Sequence, residues 1–194
     1  LISGGKLVIY EESANGPDLS ILEVIDNNLV NTIKLTPSHV ALLQNKNVSS
    51  SNIKTMIVGG EDFKSYVARN IQTLFGDTLR IFNEYGPTEA TVGCIVKEYS
   101  SEEKTASVPI GMPIKNMQAY VLDSYKNMVP QGVIGELYIS GIGLADGYAN
   151  LPDLTNSAFL ENPFVEAKKM YRTGDLARLN TQGDLEYLGR IDEQ

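Results

Sequence analysis

An α/β fold is predicted for this chain: a mostly parallel sheet with flanking helices, followed by a β-rich lobe shaped as a distorted barrel. Three features of the sequence predict it. Through the first half, short apolar runs alternate with amphipathic segments, the pattern left by crossover helices between parallel strands. Through the second half, strand-like runs are separated by turns at Pro109, Pro113, Pro130 and Gly132. Between the halves lies a polar stretch, Ser100 to Ser107, carrying Glu102, Glu103 and Lys104. Residues 1–99 are therefore expected to form an α/β subdomain and residues 100–194 a β-rich one.

Each element has its own signal. Leu7 to Tyr10 reads as a strand. Pro17-Asp18-Leu19-Ser20 starts a helix, with Leu22, Ile25 and Leu29 on one face. Asn31 to Leu35 is a second strand, and Thr36-Pro37-Ser38 starts a helix running to about Gln44. Lys54 to Val58 is a third strand, ending in Gly59-Gly60. Glu61 to Phe75 carries Phe63, Val67, Ile71 and Leu74 on one helical stripe, and Gly76 ends it. Leu79 to Phe82 is the next strand. Beyond it, Val92 to Glu98, Met117 to Asp123 and Gly135 to Ser140 read as strands, and a short helix falls near Asp153 to Phe159. Tyr171 to Thr173, Leu176 to Leu179 and Leu185 to Leu188 complete the set as short strands.

Composition narrows the partners. Apolar residues make up 42% of the 194, enough for a sizeable core. The net charge of -8 argues against a nucleic-acid or anionic-membrane surface, which needs a basic footprint. The single cysteine, Cys94, forms no intrachain disulfide framework and reads as a small buried residue in a reducing, cytoplasmic setting. No run approaches the ~20 apolar residues of a membrane span, and no signal-peptide pattern is present. With no Met at position 1 and no tail composition at either end, the sequence is expected to be a piece of a longer protein.

The groups able to carry chemistry cluster in two runs. In Asn83-Glu84-Tyr85-Gly86-Pro87-Thr88-Glu89 a Gly-Pro turn separates an aromatic ring from a hydroxyl and a carboxylate. It follows a strand-like run, so it belongs at the mouth of a sheet, where ligands of open α/β sheets bind. Tyr85 can stack on a base, and the Asn83 carboxamide can both donate to and accept from its edge. Thr88 can meet a phosphate, and Glu89 supplies a hard oxygen to Mg²⁺. Each has an ordinary alternative: Tyr85 as a core ring, Glu89 as a carboxylate at a helix N-terminus. In Tyr171-Arg172-Thr173-Gly174-Asp175-Leu176, Gly174 permits a sharp turn that presents Asp175 either to the two hydroxyls of a ribose or to its own β-turn. A third, glycine-rich run from Gly135 to Tyr148 lacks the Lys and spacing of a phosphate loop and reads as mainly structural. His39, the only histidine, has no companion ligands and is not expected to bind metal.

These runs together resemble the adenylation domains of nonribosomal peptide synthetases, a branch of the adenylate-forming enzymes, over essentially the whole chain. The Asn83–Glu89 run resembles that family's adenine and magnesium motif, and the Gly135–Tyr148 run its next core motif. Tyr171 to Asp175 resembles its ribose motif, and Gly189-Arg190-Ile191-Asp192-Glu193-Gln194 the start of its hinge motif. Asp146 and Ala149 depart from the family, which has Arg and commonly an aromatic there; both lie in the structural motif. The resemblance implies the large N-terminal lobe of such a domain. It implies ATP-dependent conversion of an amino acid to aminoacyl-AMP, with Mg²⁺, and transfer to the phosphopantetheine thiol of a carrier domain. Peptidyl carrier and condensation domains of the same megasynthetase would be the partners. Tyr85 would stack on adenine, Asn83 would contact its edge, Thr88 would touch phosphate, Glu89 would hold Mg²⁺ and Asp175 would bind the ribose. Gly60, Gly86, Tyr187 and Arg190 join the nucleotide-binding set, and Asp192 would be the hinge. The phosphate loop, the Asp that holds the substrate α-amino group and the catalytic Lys of the small lobe would lie outside residues 1–194, so the fragment alone is expected to be inactive.

By the same resemblance Lys34, Ile57, Gly59, Glu84, Val92 and Gly93 line the side-chain pocket. Lys34 offers a donor and Glu84 an acceptor; Gly59 and Gly93 leave room between the walls Ile57 and Val92. Asparagine fits that pattern best. Aspartate would meet Glu84 charge to charge, at roughly 4 kcal/mol for ~4 Å and an effective dielectric of ~20. Leucine would leave two polar groups unpaired at ~1–3 kcal/mol each. An acyl- or aryl-CoA synthetase is disfavoured by so charged a pocket, and a non-catalytic nucleotide-binding remnant by the intact Thr88, Glu89 and Asp175.

Overall fold

The computed structural model describes residues 4–9, 20–46, 48 and 50–191. The chain forms two compact units: residues 1–82 with 99–107, and residues 83–98 with 108–194. This partition differs from the expected 1–99 and 100–194 halves. The polar stretch 100–107 belongs to the first unit because it is tied there: Ser65 N–H donates to Ala106 O at 3.0 Å, and Lys64 bridges Ser107.

The first unit opens with α1 (Ser20–Asn27), which buries Ile21, Val24 and Ile25. The expected face of Leu22, Ile25 and Leu29 is shifted by one position. Asn28 takes a left-handed conformation (φ 51) and ends the helix, leaving Leu29 beyond it and exposed. Leu7, Val8 and Ile9 form no strand, since no neighbour among the described residues pairs with them; Tyr10 and Pro17 to Leu19 lie outside the described residues. Next, β1 (Thr32–Leu35) leads to α2 (Pro37–Ala41), where Thr36 Oγ1 caps the His39 N–H and Pro37 takes the first turn, which has no use for its missing donor. The single helix expected to Gln44 is broken: from Leu42 to Asn45 it tightens to a 3₁₀ turn.

β2 (Thr55–Gly59) pairs parallel with β1, Lys34 opposite Ile57 and Leu35 opposite Val58. α3 (Ser65–Phe75) starts four residues later than its apolar stripe predicts, because Lys64 is extended (φ -67, ψ 134) and Phe63 is buried ahead of the helix. Its C-cap is Gly76, with φ 84. Buried Val67 and Ile71 on this helix are worth about 1.5–3 kcal/mol each. β3 (Arg80–Tyr85) begins in this unit and ends in the second.

In the second unit the end of β3 is followed by β4 (Ile95–Glu98), which starts later than expected, and by β5 (Met112–Pro113), a short antiparallel neighbour of β4 that sequence assigned to a turn. A separate antiparallel sheet follows. β6 (Met117–Leu122) pairs with β7 (Gly135–Gly141). After α4 (Pro152–Ala158) come β8 (Phe159–Glu161), unexpected from sequence, and β9 (Lys169–Leu179); β10 (Leu185–Arg190) closes the order β10-β9-β7-β6. The two short strands expected within 171–179 are one strand. Gly174 (φ 74) makes a bulge in it, so the pairing with β7 jumps from Glu136–Leu176 to Tyr138–Arg172. Cys94, Ile95, Ile110, Leu137, Ile139, Ala177 and Leu185 pack together beneath, with Tyr85 and Tyr187 at their margin.

Candidate functional site

The site is built at the end of β3. Alternation along the strand puts Ile81, Asn83 and Tyr85 on one face and Glu84 on the other. Chain direction then reverses through a 3₁₀ turn, Thr88–Ala90, and two left-handed residues, Thr91 (φ 59) and Val92 (φ 66). A β-branched residue at positive φ is strained, and two in a row persist only where the surroundings hold them. Here Thr91 Oγ1 donates to Gly143 O at 2.6 Å, Val92 N–H to Pro87 O at 3.2 Å and Cys94 N–H to Tyr85 O at 3.0 Å. Gly86 makes the turn possible: a Cβ there would lie 1.6 Å from the Val92 carbonyl oxygen.

Tyr85, Asp175 and Arg190 come together. The Tyr85 hydroxyl donates to Asp175 Oδ2, and Arg190 Nη1 donates to Asp175 Oδ1 at 3.3 Å and to Thr173 O at 3.2 Å. Burial, and then the Asp175 charge, push the Tyr85 phenol far above its ordinary range, so it stays a donor. The Tyr85 and Tyr187 rings lie 6.1 Å apart, tilted by 37°. Gly174 explains the assembly: the bulge turns Asp175 inward, and the Arg190 guanidinium packs where a side chain at 174 would be, 3.0 Å from the position of its Cβ. Thr173 braces the loop, donating through Oγ1 to Leu137 O at 2.7 Å and accepting from Asp175 N–H at 3.0 Å.

Glu89 is half-buried, with Thr88 exposed next to it. Its Oε1 accepts from the Tyr148 hydroxyl at 2.5 Å. Burial favours the neutral acid, but hydrogen bonds from Tyr148, from its own backbone N–H and from Tyr171, with the Arg190 charge, outweigh it and hold the carboxyl below its ordinary range. Asn83 is buried and gives both amide protons to the Val108 and Pro109 carbonyls, at 2.8 and 3.1 Å. Sequence singled out Tyr85, Glu89, Asp175, Tyr187 and Arg190; it did not assign Tyr148, Tyr171 or Thr173 to the site, although Tyr171 and Thr173 stand inside the run that carries Asp175.

The pocket candidates fall into two sets. Lys34 and Ile57 are direct partners on β1 and β2, with Gly59 two positions further on the same face and Gly60 in the turn beyond (φ 86). In the second unit, Glu84 and Gly93 touch: a Cβ on residue 93 would lie 2.3 Å from Glu84 Oε1. Val92 is 51% exposed. Asp192 lies outside the described residues.

Comparison with known proteins bears on what this arrangement belongs to. Along its whole length the chain is 48% identical to bacitracin synthase 3 of Bacillus licheniformis and 46% identical to tyrocidine synthase 3 of Brevibacillus parabrevis. It spans only 3% of the length of each of those relatives. Among solved structures it is similar to PA1221, an NRPS protein containing adenylation and PCP domains, with a TM-score of 0.83 and 27% identity over 94% of this chain and 38% of that one. A model of the family of AMP-binding enzymes matches residues 1–149, more than half of the sequence, and the chain belongs to that family.

Proposed function

We propose that this chain is part of an adenylation domain of a nonribosomal peptide synthetase, activating an amino acid with ATP and loading it on a carrier-domain phosphopantetheine thiol. The observation that carries the proposal is the convergence of Tyr85, Asp175 and Arg190 at the end of β3. In the first step a carboxylate oxygen of the amino acid attacks the α-phosphorus of ATP. A new P–O bond forms, the bond from the α-phosphorus to the bridging oxygen breaks, and pyrophosphate leaves. In the second step the carrier thiolate attacks the carbonyl carbon, the C–S bond forms and AMP departs. Tyr85 offers its face to adenine and Asn83 its carbonyl oxygen to the exocyclic amine. Asp175 accepts from the ribose hydroxyls, while Gly60, Gly86, Tyr187 and Arg190 complete the nucleotide-binding set. Thr88 meets a phosphate, and Asp192 is the hinge.

Magnesium needs one or two protein carboxylates and completes its shell with phosphate oxygens and water. Glu89 fits that demand: a single carboxylate kept ionised, with no cluster of three or more ligating side chains among the described residues. When bound, the ion neutralises phosphate charge.

For the substrate side chain, the Lys34 donor and Glu84 acceptor favour asparagine, with aspartate next. Sites built on side-chain hydrogen bonds discriminate strongly. Amino-acid-dependent pyrophosphate exchange by the full-length protein, over all twenty amino acids, tests both levels. Highest exchange with asparagine is expected, and Glu84→Gln should lower the Asn/Asp ratio. A different best amino acid overturns asparagine alone; no exchange with any overturns adenylation.

A further inference from the structure

We infer that Tyr148 is a positioning residue for the Glu89 carboxylate, and that the glycine-rich segment Gly141–Tyr148 is the strap that holds the turn bearing it. The inference rests on the reading of Glu89 as the magnesium ligand. Glu89 sits in a 3₁₀ turn of three residues with no side-chain cap, too short to fix its own orientation. The strap supplies what the turn lacks. Ala145 N–H donates to Glu89 O at 2.8 Å, and Gly143 O accepts from Thr91 Oγ1 at 2.6 Å, so the turn is held through the Glu89 main chain on one side of Ala90 and the Thr91 side chain on the other. The Tyr148 hydroxyl then holds Oε1 at 2.5 Å. A carboxylate with one oxygen so held no longer rotates freely, and its second oxygen keeps a fixed aim. Outer-shell donors orient metal-ligating carboxylates in this way.

Tyr148 is itself anchored. Its ring meets Phe159 edge-on at 5.6 Å and 72°, and its hydroxyl lies 3.5 Å from that of Tyr171. Its N–H donates to Thr155 Oγ1 at 2.9 Å, which ties the strap to α4. Gly147 permits that contact, because a Cβ there would lie 2.3 Å from Thr155 Cγ2. Glycines that sequence reads as mainly structural therefore serve the aim of one carboxylate.

The test uses the full-length protein and its Tyr148→Phe and Glu89→Gln variants. Mn²⁺–ATP binding to the protein is followed by water-proton relaxation enhancement against a protein-free Mn²⁺–ATP control, alongside the Mg²⁺ dependence of pyrophosphate exchange. Tyr148→Phe keeps the ring on Phe159 and is expected to weaken Mn²⁺ and raise half-saturating Mg²⁺ about tenfold, with the amino-acid KM and the melting temperature unchanged. If Glu89→Gln shifts both metal readouts while Tyr148→Phe shifts neither, or only lowers the melting temperature, the positioning role is overturned and Glu89 stands. If Glu89→Gln also shifts neither, the metal-ligand reading fails with it. Should Tyr148→Phe not fold, Thr155→Val, which removes the Oγ1 that accepts from the Tyr148 N–H, takes its place: a metal shift in the same direction supports the positioning role, and none overturns it.

Discussion

Cys94 is 1% exposed, and burial, aided by the Glu84 charge, pushes its thiol up to about 11. The reactive species is the thiolate, so at pH 8 only about one thiol in a thousand is competent. Iodoacetamide at pH 8 should therefore leave the Cys94 peptide of the folded protein unmodified and label it fully after denaturation. The native rate should climb as pH rises toward the thiol pKa, and rapid native labelling at pH 8 would contradict the packing. At this scale the sequence was partly readable. Asn83, Tyr85, Glu89 and Asp175 stand out because ring, amide and carboxylate chemistry is local. Their partners are not local: Asp175 is 90 positions from Tyr85, and Tyr148 is 59 from Glu89. Nothing in one run says which distant donor will fold onto it, so Tyr148 read as structural.

Elements depart from the local sequence signal where pairing overrides it. Gly174 looks like a strand break, yet neighbours on both sides carry β9 through it as a bulge. Phe63 continues the apolar period of α3, but an extended Lys64 bridged to Ser107 delays the helix. β5 and β8, of two and three residues, are too short to leave a pattern. The turn after β3 gives a sharper test of element-scale packing. Gly86→Ala would drive a methyl group into the Val92 carbonyl, and relieving it should cost about 1–3 kcal/mol or more. Hydrogen exchange of peptides covering residues 83–98 should accelerate correspondingly in the full-length variant. Unchanged exchange would show that the turn relaxes freely.

The chain forms an α/β unit and a β-rich unit and belongs to one family, and the two kinds of unit were legible because parallel crossovers and turn-punctuated strands leave different sequence periods. The division between units was not legible, since a polar stretch marks exposure and not which unit it packs on. Apart from Gly60, the residues proposed for nucleotide binding fall in the second unit. In the proposed reaction the carboxylate of an amino acid becomes bonded to the α-phosphorus of ATP. Turnover of ¹⁸O-carboxylate asparagine by the full-length protein, with product phosphates read by mass spectrometry, measures that bond directly. One ¹⁸O in AMP, with unlabelled pyrophosphate, is the predicted result. Label in orthophosphate with formation of ADP, or unlabelled AMP, would contradict it.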